Sequence, residues 1–158
     1  MLELNSARWL ADIGCGGGGG TRVIRAQAPS ASAVSGVDVS TELIGMASRR
    51  LEGLGVTFHV ADVATAPAPD RPYDRLASRF RVMFFPDPLA AFSNLARWSQ
   101  PGARFAFAVW GAPADNPWVR VVREVVGGLI ALARLGADVS VASNASVATS
   151  RETVATDG

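Results

Sequence analysis

A chain of 158 residues, 49% hydrophobic and 18% charged, has room for one domain with a core and too little for two of ordinary size; that composition excludes disorder of the whole chain. A net charge of +1, with arginines scattered rather than massed, supplies no general field for gathering nucleic acid. With no basic start, no apolar run long enough to span a bilayer and a lone cysteine, Cys15, the reading is a cytoplasmic chain without a membrane segment or export signal.

The first strand is predicted over Arg8 to Ile13, running into a glycine cluster, and a helix follows over Thr21 to Ala28, stopped by Pro29. Ala33 to Val37 reads as the second strand, closed by Asp38. Ser40 or Thr41 caps the next helix, whose inner face is predicted to carry Leu43, Ile44, Ala47 and Leu51 before Gly53 and Gly55 end it. Val56 to Val60 is the third strand, again followed by an acid, Asp62. A proline-rich loop leads to a fourth strand over Tyr73 to Ser78. Asp87-Pro88 has the cap-then-proline pattern of a helix start, with Leu89, Phe92, Leu95 and Ala96 as its expected buried face. Pro101-Gly102 suits the centre of a type II turn before a fifth strand over Arg104 to Trp110. Val119 to Leu135 is a further helical pattern that tolerates Gly127-Gly128, and Gly136 to Gly158 is a Ser/Ala/Thr/Val-rich tail. Alternating strands and helices, with strands almost continuously apolar, predict an α/β fold. Its expected core is a doubly wound, mostly parallel sheet of about five strands with helices on both faces. The domain is placed at 1–135 and a poorly ordered tail at 136–158.

Six glycines stand among seven positions, Gly14 and Gly16 to Gly20. Such a cluster belongs where backbone turns sharply or approaches a ligand, since each glycine costs roughly 0.5–1 kcal/mol in a regular element. A permissive loop with no ligand is the plain alternative. Gly14, Gly16 and Gly19 satisfy G-x-G-x-x-G, with Asp38 at the distance expected of an acid on a ribose, a pattern shared by nucleotide and adenosyl sites. Asp12 separates the two: beside a pyrophosphate its carboxylate would repel by about 1 kcal/mol in water and about 4 at an effective dielectric of 20, whereas a sulfonium and an ammonium would be attracted.

D-I-G-C-G-G-G at Asp12 to Gly18 resembles motif I of class I S-adenosylmethionine-dependent methyltransferases. The resemblance continues through SGVDVSTELIGMASRR, VTFHVADV and SRF-R-VMFF-PDP to Trp118, and it is similar to the small-molecule branch that includes ubiquinone- and menaquinone-type enzymes. It implies a Rossmann-like sheet, S-adenosyl-L-methionine as cofactor, no metal, and a small-molecule acceptor whose O, N or C attacks the methyl carbon in line. It further implies that Gly14, Gly16 and Gly18 admit the methionine and ribose portion and that Asp12 holds the amino end. Asp38 would accept from the ribose hydroxyls and Val39 pack on adenine. Asp62 would take the adenine amino group with the Val63 N–H nearby, and Ser78 and Arg79 would lie along the methionine end. Asp38 and Asp62 as simple loop starters, and Arg79 as a surface ion-pair partner, remain the alternatives at those positions. Cys15 reads as a small filler and His59 as a structural mid-strand residue, and no catalytic base stands out.

Several features depart from the resemblance. Arg81 stands where the family often has glycine, and Arg75 lies within the fourth strand, both bearing on substrate geometry. The N-terminal lid and the last two strands of the family are not recognisable, an expectation of a shortened product with a changed reading frame near residue 125. The fifth strand would then offer an apolar edge for self-association. The competing functions are a catalytically impaired binding or interaction domain and, on the glycine pattern alone, a nicotinamide-dependent oxidoreductase.

Overall fold

The computed structural model describes residues 2–134, so the expected tail at 136–158 lies outside the described residues. The chain divides into two compact units, Met1–Trp110 and Gly111–Gly158. Within the first, all strands are parallel in the order β3-β2-β1-β4-β5. The ranges are β1 Trp9–Ile13, α1 Gly19–Gln27, β2 Ala33–Asp38, α2 Thr41–Arg50, β3 Val56–Val60, β4 Tyr73–Arg79, α3 Pro88–Arg97 and β5 Ser99–Ala108. The order reverses between β1 and β4, so the loops leaving these two strands part there and open a crevice at their carboxyl ends.

Alternation along β1 sends side chains to both faces of the sheet. Ala11 and Ile13 join Val37, Leu76, Ala91, Leu95 and Trp98 in the larger core, on the α3 side. Leu10 joins Ala7 and Val34 in a smaller one, packed by Ile24 of α1. The centre of the sheet is lined by small residues where Asp12 sits, its register partners being Gly36 on β2 and Ala77 on β4. Ser40 caps α2 by accepting from the Leu43 N–H at 3.2 Å, and Asp87 caps α3 by accepting from the Ala90 N–H at 2.9 Å, with Pro88 in the first turn.

Four expectations need correction. Leu43 is exposed on α2, which buries Ile44 and Ala47, with Leu51 buried at its C-cap. On α3, Leu89 is 79% exposed, Phe92 is at the periphery and Ala96 is exposed; the inner residues are Ala91, Asn94 and Leu95, followed by Trp98. The apolar pattern misplaced this face because small Ala91 and polar Asn94, which pack closest to the sheet, weigh little in a hydrophobic count. β5 starts earlier than expected, at Ser99, and its ladder skips from Ser99 to Arg104 opposite Tyr73 and Arg75, an irregularity that absorbs Pro101 and Gly102 at φ +78°. His59 is exposed on β3, a strand at the end of the sheet order.

Arg75 serves the frame rather than a substrate. It is buried toward the amino end of β4, and its guanidinium donates to the Leu2 and Asp74 carbonyls (both 2.8 Å) and to Ser6 Oγ (3.0 Å). Neighbouring Asp74 accepts from the Arg8 N–H at 2.8 Å, so both residues tie the N-terminal segment to the sheet end opposite the crevice. In the second unit, α4 spans Pro117–Arg134 and continues through Gly127-Gly128. Among the described residues no helix is long and apolar enough to cross a membrane.

Candidate functional site

The site begins where β1 ends. The N–H groups of Gly14 and Cys15 both donate to the Val37 carbonyl, at 2.7 and 3.1 Å, which folds the loop back over the end of β2. Gly14 has φ +69° and a side chain there would overlap Arg81, so only glycine fits. Gly18 caps α1 in the left-handed region at φ +83°, its α-carbon facing Ala47 of α2 and Leu51 at the C-cap of that helix. The loop is thereby wedged between two strands and a helix.

Asp12 is buried, at 3% exposure, beneath the first turn of α1, where its Oδ2 accepts from Thr21 Oγ1 at 2.7 Å. Burial raises its carboxyl above the ordinary value of 3.8; the Thr21 hydrogen bond and the Arg79 charge pull it down, and Asp38 pushes it up. Close approach of α1 depends on Gly20, because a Cβ there would lie 2.9 Å from the Asp12 carboxylate. Ser78, at the carboxyl end of β4, is also buried, and among the described residues its hydroxyl has no hydrogen-bond partner. Asp12, Ser78 and exposed Arg79 line one face of a cleft of about 360 Å³ completed by Val23 of α1 and Phe107 of β5. On the other side of the loop, Asp12, Gly14, Gly16 and Arg79 line a second cleft of about 390 Å³ with Arg50 and Phe80. An unpartnered buried hydroxyl, an anion and a cation thus converge on one place, a set matched to the ammonium and carboxylate of an amino acid.

Asp38 is buried at the end of β2 with both oxygens aimed by backbone donors: Oδ2 accepts from the Gly16 N–H at 2.9 Å and Oδ1 from the Ser40 N–H at 3.0 Å. Each oxygen retains a second acceptor direction, as two hydroxyls would require. Val39 follows it, half exposed, and Val63 lies across from it, buried. Asp62 is exposed, its Oδ1 accepting from the Ala64 N–H at 2.9 Å in a tight turn. That turn is fixed from below by Asn94, whose amide donates to the Val63 and Ala66 carbonyls at 2.8 and 2.7 Å. Sequence reasoning missed Asn94; the available signal was a polar residue three after Ala91 on the same helix face.

Gly14, Asp38, Val39 and Val63 meet around a space of only about 10 Å³, closed by Arg81 and Phe85. The expected site residues therefore split: the clefts at Asp12, Ser78 and Arg79 are open, and the space at Asp38, Val39 and Val63 is filled by the side chain of Arg81. Cys15 is buried beside both acids, and burial, with Asp12 and Asp38, pushes its thiol up to about 12, which makes it a filler and not a nucleophile at neutral pH.

Residues 10–102 match the family model described as a methyltransferase domain. The chain is 32% identical over 105 residues to phosphoethanolamine N-methyltransferase 1 of Arabidopsis thaliana, covering 65% of this chain and 21% of that protein. It is 34% identical over 128 residues to trans-aconitate 2-methyltransferase of Methylobacterium nodulans, covering 81% of this chain. The crystal structure of an S-adenosylmethionine dependent methyltransferase from Mesorhizobium loti superposes with a TM-score of 0.60 at 25% identity, over 68% of this chain and 48% of that one. The chain thus spans 21% of the plant relative's length and 48% of the Methylobacterium one.

Proposed function

Because the chain belongs to the methyltransferase domain family, we propose that it binds S-adenosyl-L-methionine along the carboxyl ends of β1, β2 and β4 and transfers its methyl group to a small-molecule acceptor. The observation that carries this reading is the buried carboxylate of Asp12 at the root of the glycine loop, with unpartnered Ser78 and the Arg79 charge around it. A pyrophosphate there would meet that carboxylate as a like charge; an ammonium would meet it as a counter-ion.

Each residue then has a defined task. Asp12 takes the donor's ammonium, with Thr21 fixing its carboxylate from the opposite side. Ser78 and Arg79 receive the carboxylate. Asp38, pre-aimed by Gly16 and Ser40, accepts from the ribose hydroxyls. Val39 and Val63 flank the adenine, and Asp62, held in its turn by Ala64 and the Asn94 clamp, takes the adenine amino group. Gly14, Gly16 and Gly18 supply the close backbone and its packing. When bound, the donor supplies a methyl carbon on a sulfonium, already a good leaving group, so the protein's work is alignment and exclusion of water. Methyl transfer by this route needs no metal and no dedicated base.

The chain works in the cytoplasm, and its β5, at the end of the sheet order, offers the edge for a second copy. Calorimetric titration with S-adenosylmethionine, S-adenosylhomocysteine and NAD, followed by transfer of labelled methyl to an acceptor panel, tests the reading. The panel begins with phosphoethanolamine and trans-aconitate, named in the relatives. Binding of the adenosyl pair without NAD is expected; NAD binding alone would reverse the assignment. Sedimentation over a concentration series tests the β5 edge, where a constant monomer mass would dismiss self-association.

A further inference from the structure

We propose that Arg81 is a plug built into the chain: its side chain occupies the ribose–adenine half of the crevice in the free protein, and donor binding requires it to swing out. The inference rests on the methyl-donor reading for the identity of the ligand, and on geometry alone for the obstruction.

The β and γ carbons of Arg81 cover Gly14 so closely that even a methyl group added to the glycine would overlap them. What remains between Gly14, Asp38, Val39 and Phe85 is about 10 Å³. That is about the space of one water, whereas pockets for ligands of this size run to about 300 Å³ and more. The adjoining cleft along Gly16 and Arg79 is about 390 Å³, so the obstruction is local to Arg81.

The backbone explains the aim of the side chain. Phe80, one residue earlier, has φ +64°, a conformation costly for a bulky residue. It is held there because its N–H donates to the Ala108 carbonyl at 2.8 Å and its ring stacks on Trp110 at 4.7 Å. This turn sends the chain leaving β4 back across the glycine loop and lays Arg81 on Gly14. The outer end of the plug is held lightly: Nη1 donates to the Phe84 carbonyl at a long 3.3 Å, and the guanidinium lies 5.3 Å over the Phe85 ring. Such contacts hold a side chain in place and release it to a ligand of modest affinity. Charge acts in the same direction as bulk, since the Arg81 guanidinium, held over Phe85 at the rim of this space, repels a sulfonium donor more than its neutral product.

The test is calorimetric titration of the full chain and of Arg81→Gly, Arg81→Ala and Arg81→Met with S-adenosylhomocysteine, S-adenosylmethionine and NAD. Thermal unfolding establishes that each variant is folded. Removing the whole side chain in Arg81→Gly should tighten S-adenosylhomocysteine binding at least tenfold. Arg81→Ala, which keeps the β carbon, falls between, and Arg81→Met, which keeps bulk without charge, tightens S-adenosylmethionine more than its product. Equal or weaker binding by the glycine and alanine variants overturns the plug and leaves the methyl-donor reading standing. A gain for NAD with both adenosyl ligands silent keeps the plug and overturns the donor. No binding of any of the three to any variant overturns both.

Discussion

Asp12 carries the electrostatic logic of the site, and its burial has a measurable signature. Its folded carboxyl is raised above 3.8, chiefly by loss of solvent. A raised acid favours the fold while protonated, so the contribution is complete below the unfolded value and is lost as pH climbs through the folded one. Asp12→Asn should therefore gain stability relative to the parent as pH rises above 3.8, the gap levelling once Asp12 is fully ionised; chemical denaturation across a pH series reads it. A gap independent of pH would show that burial does not perturb this group. The same variant should bind S-adenosylmethionine at least tenfold more weakly, because the amide offers no counter-ion. The placement of Asp12, Asp38 and the glycines near the carboxyl ends of β1 and β2 was legible from sequence because each follows or closes a short apolar run. Arg81 was legible only as an oddity: its path over Gly14 depends on the left-handed turn at Phe80, which no propensity favours for phenylalanine.

At the scale of elements, α3 is both a wall of the core and the support of the loop after β3 that carries Asp62 and Val63. Asn94 links these roles by donating to two carbonyls of the segment after β3, at 2.8 and 2.7 Å. Asn94→Ala leaves both carbonyls without their donor and should cost about 3 kcal/mol, measured by urea denaturation. Asn94→Asp should cost more, since a carboxylate would face two carbonyl oxygens. If Asn94→Ala were neutral while the loop kept its place, the clamp would be unnecessary. Strand and helix order was readable because apolar periods and turn residues agree along the whole first unit, and the caps at Ser40 and Asp87 formed as expected. The inner face of α3 was not readable, because a hydrophobic count cannot see a buried amide whose partners lie 28 and 31 residues away.

The whole site exists only when the sheet does. Asp12 on β1 and Ser78 on β4 are far apart in sequence, yet Asp12 and Ala77 are register partners, so the bridge between these strands assembles the pocket. β1 is also the middle of the five-strand order, with β2 and Asp38 on its other side. No subset of two adjacent strands holds the three acids and Ser78 together. Donor binding should then be cooperative with folding of the first unit, and a ligand that recognises only the folded sheet stabilises it by about 2.7 kcal/mol at a hundredfold excess over its Kd. In a unit of residues 1–110 this corresponds to a rise in Tm of roughly 10 °C or more. S-adenosylhomocysteine should raise the main transition by that amount in scanning calorimetry, and circular dichroism and ligand release should report the same midpoint. Release at a lower temperature than sheet melting would mean that the crevice opens by itself, with the loop after β4, which carries Arg81, as the segment to probe first by hydrogen exchange.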